Sequence, residues 1–83
     1  MAKVTLYSKL DCPLCDEARE ALERVQARAG FALEELDIGA DPALERRYRE
    51  RVPVVALDGR ELFDFVVDEQ ALEQRLAAGA PAR

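Results

Sequence analysis

From Lys3 to Ser8 the chain alternates, with Val4 and Leu6 on one face and Thr5 and Tyr7 on the other, and its β-branched and aromatic content suits a strand. From Pro13 the period lengthens. Cys15, Ala18, Leu22, Val25 and Ala29 recur at helical spacing, while Glu17, Glu20, Glu23, Arg24 and Arg28 fall largely elsewhere, which predicts an amphipathic helix. Pro13 suits the first helical position, where its missing amide would have had no partner, and Gly30 suits the residue just past the end. Phe31 to Ile38 reads as a second strand. Asp41-Pro42 then resembles a capped helix start leading into a short helix, Ala43 to about Arg49. Val52 to Leu57 and Glu61 to Val66 flank Asp58-Gly59, a dipeptide suited to the positive φ of a tight hairpin, so these two strands should pair antiparallel. Phe63 and Phe65, alternating on one face of the second of them, are expected in the core. Asp68 can cap a last helix with Leu72 and Leu76 turned inward, stopped by Gly79 and Pro81.

The resulting order is β-α-β-α-β-β-α. A strand, helix and strand in succession normally make a right-handed crossover with parallel strands, whereas the hairpin adds antiparallel ones. The expected fold class is therefore α/β, a four-stranded mixed sheet flanked by helices. At 83 residues, division into two cores would leave each half too small to bury enough apolar surface. One domain spanning residues 1–79 is expected, with residues 80–83 as a frayed tail.

Composition adds exclusions. Apolar residues make up 49% and charged residues 35%, spread along the chain without blocks, which is the balance of a soluble globular protein. The net charge of −5 argues against general affinity for nucleic acid or anionic lipid, both of which depend on a basic surface. Met1 leads straight into the first alternating segment without a charged-then-apolar leader, and no apolar run is long enough to cross a bilayer. A cytoplasmic monomer is the expectation.

The chemistry concentrates in Cys12-Pro13-Leu14-Cys15, which holds both cysteines of the chain. A bridge this short constrains the unfolded chain very little, so its value would be chemical and not structural. With no histidine and no second cysteine pair, a closed zinc or iron-sulfur site would need a second subunit. A cysteine that follows a strand and opens a helix has its thiolate favoured by unpaired amides and by the helix dipole. Cys12 has that place, and Cys15 lies one turn deeper. Cys12 would attack a substrate disulfide and Cys15 would resolve the mixed disulfide. Asp11, Asp16 and Glu17 oppose thiolate formation while Lys9 and the helix terminus favour it; the expected balance is a moderately acidified Cys12 and a pair that reduces more than it oxidises.

The stretch Tyr7-Ser8-Lys9-Leu10-Asp11-Cys12-Pro13-Leu14-Cys15, with Val52-Pro53 before a later strand, resembles the glutaredoxins and especially their small bacterial relatives, over nearly the whole chain. The resemblance implies a thioredoxin-like fold and a thiol-disulfide oxidoreductase with Cys12 and Cys15 as catalytic residues. It also implies that Lys9 lies near them and that Pro53 is cis beside them. Pro13, Leu14, Val52 and Pro53 join Lys9 as candidate substrate-contacting positions, the Val52 backbone being expected to stay free to pair with an extended substrate. Disulfide-containing proteins are the implied partners, with glutathione or a reductase as electron donor and no tightly bound cofactor. Three positions depart from the family pattern and bear on glutathione recognition. Leu14 replaces the tyrosine between the cysteines, Arg51 the threonine before the valine and proline, and Val66-Val67-Asp68 stands where a glycine pair is usual. Arg46, Arg47, Arg49 and Arg51 read as a solvated face and not as ligands, and Tyr7 reads as packing. Two other classes stay open: a redox-sensitive binding module, and a dimer bridged through the cysteines by a metal or iron-sulfur cluster.

Overall fold

The computed structural model describes residues 2–79. Chain order is β1 (Lys3–Ser8), α1 (Pro13–Ala29), β2 (Ala32–Asp37), a 3-10 turn (Ile38–Ala40), α2 (Pro42–Tyr48), β3 (Val54–Leu57), β4 (Arg60–Asp64) and α3 (Glu69–Gly79). The sheet runs β2-β1-β3-β4, with β1 parallel to β2 and antiparallel to β3, and β3 antiparallel to β4. This is the expected mixed α/β sheet.

Alternation along the central strands sends side chains into two cores. Val4 and Leu6 of β1 and Val55 of β3 pack with Ala18, Leu22 and Val25 of α1 and Leu72 of α3. Tyr7 and Val54, from the opposite face, pack with Tyr48 of α2, Ile38 and Val52. Both faces of β1 are thus covered, which is why Thr5 and Ser8 are also buried. Burying Leu6, Leu22 and Leu72 completely contributes roughly 2 kcal/mol each, before the entropy of ordering the chain is counted.

The punctuation is local. Gly30 takes φ 69 and donates its amide to the Gln26 carbonyl at 3.0 Å. Asp41 Oδ1 accepts from the Ala43 amide at 2.9 Å and Asp68 Oδ1 from the Ala71 amide at 3.0 Å, so each caps its helix. Asp58 and Gly59, at φ 49 and 87, make the β3–β4 turn.

Several boundaries differ from the sequence reading. Phe31 is buried ahead of β2, and Ile38 opens the 3-10 turn, where Asp37 Oδ1 accepts from the Gly39 amide at 2.8 Å. On α1 the buried face takes Ala21 and leaves Ala29 exposed. Phe65 is not a core residue of β4. The strand ends at Asp64, and Phe65 turns out of the ladder at φ 68 with 45% of its surface exposed. The expected fraying of residues 80–83 lies outside the described residues.

Candidate active site

β1 ends at Ser8, and the chain turns through Asp11, at φ 56, to place Cys12 as the N-cap of α1 with Pro13 in the first turn. Cys12 and Cys15 are joined as a disulfide with their Cα atoms 5.2 Å apart. The Cys15 amide donates to Cys12 Sγ at 3.2 Å, and the Asp16 amide donates to the Cys12 carbonyl at 3.1 Å. A sulfur so placed receives an otherwise orphaned N–H and faces the positive end of a 17-residue helix, and both favour its thiolate once the bridge is opened. Cys12 is half-buried and Cys15 fully buried, so the two sulfurs differ in access.

Beneath the pair, Cys15 packs in one cluster with Ile38, Tyr48, Val52 and Val54, to which Cys12, Tyr7 and Leu44 add partly buried surface. The Val52–Pro53 peptide bond is cis, and Pro53 is fully buried. The fold thus brings two segments distant in the chain, residues 12–15 and 52–54, to one place. The Val52 amide is not free: it donates to the Tyr48 carbonyl at 3.1 Å, since the chain leaves α2 through a final turn that satisfies this group internally. The Pro53 carbonyl accepts from the Phe65 amide at 2.8 Å, which draws the β4–α3 connection alongside. Tyr7 stacks on Tyr48 with centroids 4.4 Å apart, in keeping with its reading as a packing residue.

Charges around the site are largely paired. Arg19 bridges Asp16 Oδ1 at 2.9 Å and Glu35 Oε2 at 2.5 Å, and Glu35 Oε2 also accepts from the Ser8 hydroxyl at 2.9 Å. Arg19 first and then Ser8 favour the charged carboxylate, holding Glu35 below the usual carboxylate range against the opposing effect of burial. Arg51 binds Glu61 at 2.5 Å and Asp64 at 3.2 Å, and its guanidinium lies 5.5 Å from the Tyr48 ring centroid, as does that of Arg47. Burial first, and then the Glu61 carboxylate facing it, push the Tyr48 phenol up to about 12. Lys9 is exposed and, among the described residues, makes no ion pair. Pro13 and Leu14 are also exposed, Leu14 at 42%.

Sequence reading missed the Ser8–Glu35–Arg19 group, the part played by Tyr48, and Phe65–Val66 beside Pro53. Their partners lie 16 to 27 residues apart in the first case, where no local spacing signals contact. For Phe65 the only sequence signal was the missing glycine pair.

A family model described as a glutaredoxin-like domain (DUF836) matches residues 3–77. Among relatives, the uncharacterized protein Rv0508 of Mycobacterium tuberculosis is 31% identical over 80 residues, 90% of this chain and 82% of that protein. The X-ray structure of structural genomics target XcR50 from X. campestris is 44% identical, with a TM-score of 0.75, covering 94% of this chain and 99% of that one. A thioredoxin variant from Halobacterium salinarum, 22% identical, has a TM-score of 0.71 over 99% of this chain and 77% of its own, and so shares the fold. With Cys12 capping α1 and the family match running almost end to end, the chain belongs to the glutaredoxin-like domain family and has the thioredoxin fold.

Proposed function

We propose that the chain is a thiol-disulfide oxidoreductase working by dithiol exchange. The observation that carries this reading is the asymmetric pair, with Cys12 at the mouth of α1, its sulfur accepting the Cys15 amide, and Cys15 fully buried behind it. In the reduced protein the Cys12 thiolate attacks one sulfur of a substrate disulfide, forming a mixed disulfide and releasing the other sulfur as a thiolate. Cys15, deprotonated, then attacks Cys12 Sγ. The Cys12–Cys15 bond forms, the mixed disulfide breaks, and the second substrate sulfur leaves as a thiolate that takes a proton. Two electrons pass from the protein to the substrate, and an external dithiol or two glutathione thiols return them.

Lys9, Pro13, Leu14, Val52 and Pro53 are the proposed contacts for the incoming chain. Because the Val52 amide is committed to Tyr48, the Val52 carbonyl is the backbone group that would accept from an extended substrate. The test is a redox titration against glutathione, with thiols trapped and masses read. Wild type should close a monomeric Cys12–Cys15 disulfide, and Cys15→Ser should accumulate a glutathione adduct on Cys12. If neither species forms, the exchange reading is wrong. Steady turnover of a model disulfide separates an enzyme from a redox-sensitive binding module, which would react once.

A further inference from the structure

Four large apolar side chains stand out as exposed among the described residues: Leu10 at 78%, Val66 at 69%, Phe65 at 45% and Leu14 at 42%. Single exposed leucines carry no message, but Leu10 and Leu14 flank Cys12 in the chain, and Phe65 and Val66 lie on the connection held to the Pro53 carbonyl. Leu10 is two residues before Cys12, and Leu14 is between the cysteines. Phe65 is tied to the Pro53 carbonyl, and Phe65, Val66 and Val67 line a groove with Glu17, Ala18 and Ala21, the turns of α1 that follow Leu14. Phe65 moreover sits at φ 68, a backbone region that glycine or asparagine enters more readily than a bulky residue. An exposed ring is kept there against its backbone preference.

The charges bordering this apolar surface select what can lie on it. Arg24, on the groove rim, is bound to Glu69 at 2.8 Å; Arg19 is bound to Asp16 and Glu35, and Arg51 to Glu61 and Asp64. Glu17 on the same rim and Asp11 beside Cys12 are exposed carboxylates. Lys9 is the one exposed cation of the β1–α1 loop. Glutathione brings two carboxylates, for which the groove lining offers only Arg24, already held by Glu69, whereas a basic segment meets favourable charge. The groove, at about 190 Å³, is below the roughly 300 Å³ of a site that encloses a small molecule, and it suits side chains of a longer chain lying across it.

Resting on the exchange reading above, we propose that the preferred substrate is a protein disulfide in an extended segment whose neighbouring residues are apolar and basic, taken ahead of glutathione disulfide. Apolar side chains of that segment cover Leu10, Leu14, Phe65 and Val66, and its basic side chains face Asp11 and Glu17. The reduced Cys12–Cys15 pair gives up two electrons and two protons, the substrate disulfide becomes two thiols, and the protein closes its own bridge.

The test uses pre-reduced protein, freed of excess dithiothreitol, in single turnover. Its substrates are a peptide disulfide flanked by leucine and lysine, the same peptide with serine and glutamate there, and oxidised glutathione. Hydroxyethyl disulfide, small and uncharged, is the reference. The leucine-lysine peptide should react about tenfold or more faster than the other two test substrates, the amount expected from covering two apolar side chains. Phe65→Asn, which suits the positive φ, and Leu10→Ser, on a largely exposed side chain and without a change of charge, should each lower the ratio of this peptide's rate to the reference about fivefold while melting unchanged. Comparable rates for oxidised glutathione and the leucine-lysine peptide, or variants that leave the ratio unmoved, overturn the substrate assignment while reference turnover upholds the exchange reading. Failure of wild type to reduce hydroxyethyl disulfide overturns both.

Discussion

Cys12 and Cys15 are the same residue type three positions apart, yet their surroundings assign them different work. Cys12 keeps solvent access and accepts an N–H at the helix mouth, whereas Cys15 is sealed among Ile38, Tyr48 and Val54. The electrostatic balance around Cys12 also differs from a count of nearby charges. Asp16 is paired with Arg19, so Asp11 and Glu17 remain to oppose the helix terminus and Lys9. In a pH series of alkylation rates on the reduced protein, Cys12 should react with a midpoint below the roughly 8.5 of a free thiol, and Cys15 should lag at every pH. A midpoint at or above that value would mean that the helix terminus does not act on the sulfur. Single residues also show where local reading stops. Phe65 has the right spacing for a β4 core position, but the Pro53 carbonyl claims its amide and turns it outward.

Among the elements, helices are bounded by short polar signals and strands by turns. Asp68 is an exposed side chain whose contribution is its hydrogen bond to the Ala71 amide. Asp68→Ala should cost about 1 kcal/mol in urea unfolding, a loss concentrated in α3, which supplies Leu72 to the core. A change indistinguishable from zero would show that water replaces the cap. The β3–β4 turn depends on Gly59 at φ 87, where a built Cβ meets no atom within 4 Å, so backbone strain and not crowding is the obstacle. Gly59→Ala is expected to lose about 1–3 kcal/mol by the same measurement. Hairpin and caps were legible in sequence because each is decided by residues within a few positions. The limits of β2 were not, because its pairing with β1 in register Lys3↔Ala32 to Ser8↔Asp37 sets where the strand stops.

For the whole molecule, ion pairs tie elements together and give stability a definite pH dependence. Arg19, Arg51 and Arg24 hold the Glu35, Glu61 and Glu69 carboxyls, respectively, below their ordinary value of 4.5. A carboxyl whose folded pKa is depressed adds stability that is fully present above its unfolded pKa and is lost as pH falls through the lower folded value. Melting temperature should therefore hold from pH 7 to about 5 and drop below about 4.5, with added salt weakening the part due to the exposed Glu69 pairs. Tyr48 works at the other end. Its raised pKa favours the protonated folded state, so its contribution is complete below about 10 and declines as pH rises through about 12. In a Tyr7→Phe background the tyrosinate absorbance should have its midpoint at about 12, and an ordinary midpoint would refute the burial argument.

Local sequence alone determined the period of each segment, the caps Asp41 and Asp68, the Asp58-Gly59 turn and the place of Cys12 at a helix start. These depend on forces that act within a turn or two of chain. Tertiary structure decided what no spacing records. It set Val52 and Tyr48 against Cys15, closed the Val52 amide to a partner, paired Arg19 with both Asp16 and Glu35, and turned Phe65 outward beside Pro53. Each of these is a contact between segments brought together by the burial of apolar surface on the two faces of the sheet, a non-directional force that selects neighbours through the shape of the whole fold and not through their order in the chain.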